Sequence, residues 1–342
     1  MALSGDGRTL VAGDDFRDFY KGAVRVWSRS PNGNWTWVTT FRGSKPNTGL
    51  GQTVAVSYDG RTIASGVYNP KSFSGEAQVW GLSARGTWVN QVPRDNEFRP
   101  SSGYQPLVLS GDGSTMAMSI SESRGTGVTV WKRTNGTWAR QTKLFVENSK
   151  YLDVGVTLAI SRDGRTLVAG SSGGVFIWRL SSTGVWDLKR PLLKGNSFDG
   201  LSVALSGDGR TLAATGGRKV RVWKYTNRGT WVQKGQVYPP LRSQALFWTL
   251  KLSSNGQILA TCVYTGVADE LPENVQIKRL SGNGTWVSLG SELIRAAGAE
   301  PTFDFGSVMA LSGDGLTLAI GHEHAKTRGV YTGEVYVFTA GA

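Results

Sequence analysis

The sequence of 342 residues is poor in the side chains that build many catalytic and metal sites. It has one cysteine, Cys262, which excludes a framework of internal disulfides. Its two histidines, His322 and His324, flank Glu323; we expect a surface loop there, because alternating loop positions make a poor metal cage. No apolar run is long enough to span a bilayer, and no basic and apolar leader precedes the repeats. We therefore predict no cofactor and no transmembrane segment, and the compartment stays open.

Glycine and tryptophan are abundant by contrast, with 46 and 13 residues, and the net charge is +13. Many glycines among β-branched and aromatic residues predict short strands joined by tight turns. The positive charge favours acidic partners but says nothing about the fold.

A repeated unit organises the whole chain. The nine residues ALSGDGRTL occur at 2–10 and again at 204–212. The same turn element recurs at a period of roughly 50 residues, which is typical of stacked or radial repeat folds. Its seven copies lie at Asp6-Gly7, Asp59-Gly60, Asp112-Gly113, Asp163-Gly164, Asp208-Gly209, Asn255-Gly256 and Asp314-Gly315.

Each copy carries the signals of four short strands. An apolar run ends at the Asp-Gly pair, which predicts a type I′ hairpin turn, and a second run follows. A third run ends in an aromatic residue, as in Val220–Trp223, and a glycine-rich turn leads to a fourth run headed by tryptophan. In the seventh copy, the chain ends after the third run.

Four antiparallel strands in each of seven copies predict an all-β, seven-bladed β-propeller whose last blade lacks its own outer strand. A solenoid is the competing fold, although solenoid repeats are usually shorter and parallel. The single predicted domain covers residues 1–342. Its blades span approximately 1–48, 49–104, 105–153, 154–198, 199–245, 246–300 and 301–342.

The repeat resembles two propeller families. Ser-x-Asp-Gly hairpins before strands that end in Trp resemble WD repeats, and Phe305–Val308 with Gly333–Phe338 resembles the FG-GAP repeats of integrin-type propellers. The Gly-His and Trp-Asp pairs of WD repeats are absent, so their buried hydrogen-bond network is not implied. The Asp-rich calcium loop of integrin-type repeats is absent as well, and calcium is not predicted.

The long variable loops all fall at one end of the predicted propeller. Binding residues concentrate on loops held by a rigid scaffold, so this end is the first candidate for partner recognition. Aromatic residues interleaved with Lys and Arg are typical of protein-binding surfaces. The predicted contact residues are Phe16, Phe19, Tyr20, Phe73, Phe98, Tyr104, Tyr151 and Phe247.

The surplus of positive charge falls on the third and fourth strands, around the outer rim. Such a rim could bind nucleic acid, an acidic protein surface or an anionic glycan, although Lys and Arg also protect edge strands from aggregation. The predicted basic rim consists of Arg25, Arg29, Lys132, Arg133, Arg179, Arg221, Lys224, Lys278 and Arg279. The seventh copy lacks a fourth strand either because the sequence is a fragment of a longer chain or because its third strand is an open edge for β-augmentation by a partner. The predicted open edge consists of Val335, Tyr336, Val337 and Phe338.

No catalytic constellation is evident in the sequence. Three N-glycosylation sequons, at Asn34, Asn135 and Asn283, fall in turns where Asn-Gly chemistry explains them equally well. We therefore predict a non-catalytic binding or assembly scaffold for a protein partner. An extracellular carbohydrate- or matrix-binding propeller is the second hypothesis. A hydrolase using acids at the channel mouth is the third, with candidates Asp14, Asp15, Asp153, Asp199 and Asp304.

Overall fold

The computed structural model confirms the seven-bladed all-β propeller. Six blades have four antiparallel strands, and the seventh has three. The described residues are 1–15, 20–46, 49–69, 74–91, 106–122, 125–146, 153–189, 199–216, 219–237, 246–264, 274–294, 305–323, 325–327, 330–331 and 333–340. Among them, no helix combines the length and the apolar character needed to cross a membrane.

The strands follow one another from the centre of each blade outwards. Blade 1 contains β1 (Ala2–Leu3), β2 (Thr9–Asp14), β3 (Ala23–Arg29) and β4 (Trp35–Arg42). Blade 2 contains β5 (Val54–Val56), β6 (Thr62–Asn69), β7 (Ser74–Leu82) and β8 (Trp88–Asn90). Blade 3 contains β9 (Leu107–Leu109), β10 (Thr115–Glu122), β11 (Gly125–Thr134) and β12 (Thr137–Phe145). Blade 4 contains β13 (Thr157–Ile160), β14 (Thr166–Ser171), β15 (Gly174–Leu180) and β16 (Trp186–Lys189).

The remaining blades depart slightly from this plan. Blade 5 contains β17 (Asp199–Leu205), β18 (Thr211–Gly216), β19 (Lys219–Tyr225) and β20 (Trp231–Val237). Blade 6 contains β21 (Leu246–Leu252), β22 (Ile258–Tyr264) and β23 (Asn274–Leu280), with an outer strand in two pieces, β24 (Trp286–Ser288) and β25 (Leu293–Ile294). Blade 7 contains β26 (Met309–Leu311), β27 (Thr317–His322) and β30 (Glu334–Thr339). A small hairpin of β28 (Lys326–Thr327) and β29 (Val330–Tyr331) lies between its last two strands in sequence.

The blades close into a ring through apolar packing. The inner strands contact one another in chain order, and β26 of blade 7 contacts β1 of blade 1. Each interface holds one buried apolar cluster drawn mainly from the two facing blades. At the closing interface, Leu3 and Leu10 pack on Ala310 and Ala319. Because such burial contributes about 25 cal/mol per Å² of apolar area, these seven interfaces are the core that specifies a ring.

The Asp-Gly turns differ from the predicted type I′ geometry. In each copy the glycine has a φ between +64° and +79°, but the preceding Asp or Asn does not have a positive φ. The turn instead spans Ser-x-Asp-Gly, and the glycine N–H donates to the serine carbonyl, as in Gly209 to Ser206 at 2.9 Å. This is a type I turn followed by a left-handed glycine. Type I′ geometry occurs at Asn135-Gly136, where φ is +51° and +78°.

The hydrogen bonds of the first residue explain why the turn begins with serine. The Ser206 hydroxyl donates to Asp208 Oδ1 at 2.5 Å and accepts the Thr211 backbone N–H at 2.8 Å. Asp208 Oδ1 also accepts the Arg210 N–H at 2.9 Å. The serine side chain is fully buried, so no water can replace these bonds. The polar groups of this hairpin turn therefore satisfy one another's hydrogen bonds.

We expect Ser206→Ala to lower the free energy of unfolding by about 1–3 kcal/mol, because the Thr211 N–H loses its buried acceptor. Denaturant unfolding measures this change. Ser181→Ala is the control, since its hydroxyl accepts the Val185 N–H at 3.0 Å in an exposed outer turn where water can take over. Equal losses in the two variants would contradict the role assigned to burial.

A continuous circle of backbone hydrogen bonds joins these seven turns. We call this end of the propeller the turn face and the opposite end the loop face. Each link runs from one turn to its neighbour, with N···O distances of 2.8–3.0 Å. The donor and acceptor residues are Gly313 to Gly5, Asp6 to Tyr58, Tyr58 to Gly111, Asp112 to Arg162, Arg162 to Gly207, Gly207 to Ser254, and Ser254 to Gly313. The circle closes the ring without a shared strand between the first and last blades.

The outer strand of blade 7 agrees with the sequence prediction. Strand β30 pairs with β27 on one side, and no further strand joins this sheet within the described residues. Val335 and Tyr336 are 39% and 37% exposed, whereas Val337 and Phe338 are partly buried. The three-stranded sheet is confirmed; completion of the edge by a partner remains a prediction.

Candidate functional site

The inner strands of the seven blades form the wall of the central channel. Alignment of the repeats places one residue of each inner strand two positions before the serine of the turn. Six copies have a small or apolar residue there: Ala2, Ala55, Val108, Ala159, Ala204 and Ala310. The sixth copy has Lys251 instead. In the other copies this position packs into the apolar clusters between blades, as Ala55, Ala204 and Ala310 do. A charge there makes Lys251 the first candidate for a functional residue.

Lys251 is held in a desolvating environment. It lies on β21, paired with Ala260 of β22, and its side chain is only partly exposed. Burial lowers the pKa of its ammonium group below the usual value. Within the described residues it has no hydrogen bond or ion pair that would offset the lost hydration. A buried ammonium without such partners destabilises the fold, so its presence calls for a reason other than packing.

A carboxylate shares this sector of the channel. Burial and, to a smaller degree, the Lys251 ammonium lower the pKa of the Met1 amino group to about 6, while the charge of Glu323 opposes them. Both charges therefore act on Met1, the residue before β1. Glu323 is exposed and directly follows β27. Lys251 of blade 6 and Glu323 of blade 7 thus both lie within electrostatic range of Met1, which precedes blade 1.

His322 is not in a surface loop, and that prediction is wrong. It is the last residue of β27, is 5% exposed and pairs with Glu334 of β30. His322 occupies the sixth position of β27, as the buried Ser171 does in β14, and the whole of β27 is buried. His324 lies outside the described residues.

The acids predicted for a hydrolase are dispersed. Asp14 ends β2 and pairs with Arg25 at 3.1 Å. Burial raises the pKa of Asp15, its own backbone N–H opposes this by hydrogen bonding, and the Asp14 charge adds to the rise. Asp153 accepts the Ser172 N–H at 2.8 Å, and its other oxygen is buried with no hydrogen-bond partner among the described residues. Asp199 begins β17, and Asp304 lies outside the described residues.

The aromatic residues predicted for partner binding are mostly beyond the described ranges. Tyr20 is described, is 53% exposed and has a φ of +61°. The backbone of Phe247 lies in β21 opposite Val263. The others, which fall outside the described residues, are Phe16, Phe19, Phe73, Phe98, Tyr104 and Tyr151. Partner binding by this set stays a prediction.

Several side chains of the predicted basic rim contact the protein itself. Lys132 donates to Ser114 and Thr115 at 2.8 and 2.9 Å, and the Arg179 guanidinium lies 4.1 Å from the Tyr225 ring centroid. Such contacts reduce the freedom of the rim to bind a ligand. Further rim contacts are Arg25 with Asp14, Arg29 with the Gly33 carbonyl, Arg133 with Gln91 and Trp138, and Lys278 with Ser288. Arg221 is partly buried, and Lys224 and Arg279 are exposed.

A groove with a volume of about 320 Å³ lies between blades 1 and 2. Phe41 stacks on Trp80 in its wall, with ring centroids 4.3 Å apart. Arg42 and Glu76, both exposed, bring opposite charges to it. This groove has no desolvated charge comparable with Lys251, so the channel is the stronger candidate site.

The sequence matches no protein-family model and no curated protein. The fold, in contrast, resembles many solved structures. One is a Bacteroides fragilis protein named a putative 6-phosphogluconolactonase, with a TM-score of 0.63 and 13% identity over 97% of this chain and 95% of that one. Another is the periplasmic gluconolactonase of Pseudomonas aeruginosa, with a TM-score of 0.60 and 16% identity over 98% and 96%. A third is the C-terminal WD40 domain of Sif2, with a TM-score of 0.62 and 14% identity over 99% and 95%.

These similarities contradict the prediction of a non-catalytic scaffold. Lactonases, which are hydrolytic enzymes, are among the structures that match this chain over almost its full length. The absence of a familiar catalytic set in the sequence does not exclude an enzyme, because the same chemistry recurs on unrelated arrangements of residues. At 13–16% identity the similarity itself shows the fold, so the chemistry must be argued from this chain's own residues.

Proposed function

We propose that this chain is a hydrolase that opens lactones, the cyclic esters of hydroxy acids, in the central channel. The observation that carries the proposal is Lys251, a partly buried cation on an inner strand, at a position that holds alanine or valine in the other copies. A mostly apolar concave site with a few polar groups is the usual form of a small-molecule site. The lactonase names among the structural neighbours support the substrate class.

Lactone hydrolysis requires stabilisation of the negative charge that develops on one atom, the carbonyl oxygen. Water attacks the carbonyl carbon of the lactone, negative charge develops on the carbonyl oxygen, the ring C–O bond breaks and a hydroxy acid is released. An ammonium held in a desolvated channel stabilises that oxygen more strongly than it would in water. Glu323 accepts the proton of the attacking water and returns it to the ring oxygen as that oxygen leaves.

The test is hydrolysis of a lactone panel, followed as acid release in a pH-stat against the spontaneous rate. The panel contains glucono-δ-lactone, a phosphorylated sugar lactone and an uncharged butyrolactone. We expect the wild-type chain to accelerate at least one of them. We expect Glu323→Gln to lower kcat by about 100-fold, since a positioned general base contributes about that factor or more.

Lys224→Ala is the matched control, because Lys224 is an exposed lysine on β19, on the outer side of blade 5. It changes the net charge by one unit, as Glu323→Gln does, without touching the channel, and kcat should not change. Hydrolysis no faster than the spontaneous rate for every member of the panel would overturn the proposal. Equal losses of kcat in Lys224→Ala and Glu323→Gln would show that the reaction does not take place in the channel.

A further inference from the structure

The channel has a floor at the turn face. The second residue of each Ser-x-Asp-Gly turn belongs to the circle of backbone hydrogen bonds, so all seven such residues surround the axis. Five of the seven are small: Gly5, Gly111, Gly207, Ser254 and Gly313. The other two are Tyr58 of blade 2 and Arg162 of blade 4.

The two large side chains meet over the opening. The Arg162 guanidinium carbon lies 3.8 Å from the centroid of the Tyr58 ring, in a cation–π contact. The Tyr58 ring extends over the turns of blades 1 and 7, because a Cβ added at Gly5 or Gly313 would lie 2.0 or 2.6 Å from it. The Arg162 stem crosses the turn of blade 3, where a Cβ at Gly111 would lie 2.5 Å from Arg162 Cγ.

The small residues thus leave the space that the Tyr58 and Arg162 side chains occupy. Side chains from blades 2 and 4 together cover the turns of blades 7, 1 and 3. A tyrosine or arginine at every copy would clash, and glycine at every copy would leave the opening uncovered. One tyrosine and one arginine among small residues can cover the opening without clashing.

We propose that Tyr58 and Arg162 form a stopper that makes the channel blind, so that ligands reach Lys251 only from the loop face. Lys251 lies two residues before Ser253, which starts its turn, so the floor is about 7 Å away along the strand. The route from Leu246, at the loop end of β21, is about 16 Å along the strand. Opening the floor would therefore create the shorter route to Lys251. The stopper also limits how long a ligand the channel can hold.

The test is acetylation of Lys251 by a water-soluble succinimidyl ester, with its rate read by peptide mass spectrometry. We expect Tyr58→Ala and Arg162→Ala to raise the rate several-fold. Tyr58→Phe keeps the ring and should retain the wild-type rate. Arg165→Ala is the matched control. Arg165 directly follows the turn that contains Arg162, but its guanidinium donates to the Leu180 and Ser181 carbonyls at 3.2 and 2.9 Å.

Two outcomes would overturn the stopper. One is an unchanged acetylation rate in both alanine variants. The other is an equal rise in Arg165→Ala, which would mean general loosening of the turn face. The melting temperature of each variant is measured in parallel, and if Tyr58→Ala does not fold, Arg162→Ala decides. This readout needs no catalysis, so it is separate from the lactone assay, and an inactive chain with a closed floor would refute only the proposed function.

Discussion

Lys251→Met is expected to lower kcat/KM for the best lactone by about 100-fold, the loss seen when one charge-stabilising donor is removed from a hydrolytic site. Methionine keeps the length of the side chain and removes the charge. Steady-state rates across the lactone panel measure the loss. A variant as active as the wild type would show that the channel cation has no part in the reaction.

The same substitution should make the protein more stable. A desolvated ammonium with no hydrogen bond or ion pair among the described residues lowers the free energy of unfolding, and Lys251→Met removes this destabilisation. A gain of about 1 kcal/mol raises the melting temperature of a chain of this size by about 2 °C. Lys224→Met is the control, since that lysine is exposed and should change neither activity nor melting temperature. Lower stability in Lys251→Met would indicate that the lysine holds the blades together, and a structural role would replace the functional one.

The pH dependence separates the two roles further. The pKa of Lys251 is lower in the folded chain than in the unfolded one, because burial disfavours its charge. Its destabilising contribution is therefore fully present below the folded pKa and disappears as the pH rises from the folded towards the unfolded pKa. The difference in melting temperature between wild type and Lys251→Met should shrink over that range. Hydrolysis, which needs the ammonium, should fall over the same range.

The repeats predicted the fold because every copy carries the same local signals. Asp208-Gly209 forces a hairpin. The third strand of the same copy buries Val220 and Val222 against blade 6 and Trp223 against blade 4, so neighbouring copies cover both of its faces. The turn type was mistaken because Asp-Gly fits two turns. The neighbouring serine decides between them, since Ser206 needs the type I geometry to bond to both Asp208 and Thr211.

The candidate site was missed for a different reason. Repeats draw attention to what is shared, whereas Lys251 is informative because it differs from the alanine or valine of the other copies. That signal was present in the sequence as LKLSSNG beside VALSGDG. Its consequence was not, because only the ring geometry brings Lys251 of blade 6 and Glu323 of blade 7 near Met1. The meeting of Tyr58 with Arg162 also needed coordinates, since the two lie in non-adjacent blades.

Gly13→Ala is expected to destabilise the protein by about 3 kcal/mol or more, or to prevent folding. A Cβ at Gly13 would lie 1.8 Å from the Gly51 carbonyl oxygen, which belongs to the backbone that leads into β5. A Cβ at Gly51 would meet the Ala23 carbonyl at 2.4 Å, so neither strand end can yield to the other. Denaturant unfolding, or soluble yield where folding fails, measures the effect.

Gly282→Ala is the matched control for this prediction. Gly282 lies in the exposed outer turn of blade 6, and a Cβ there would meet nothing within 4 Å. Its stability should stay close to that of the wild type, because the same methyl group is added without a clash. The contrast tests whether β5 owes its place in the channel wall to the close contact between Gly13 and Gly51. A Gly13→Ala variant as stable as Gly282→Ala would show that the connection into blade 2 can shift, and that the wall of the channel is set by the apolar interfaces alone.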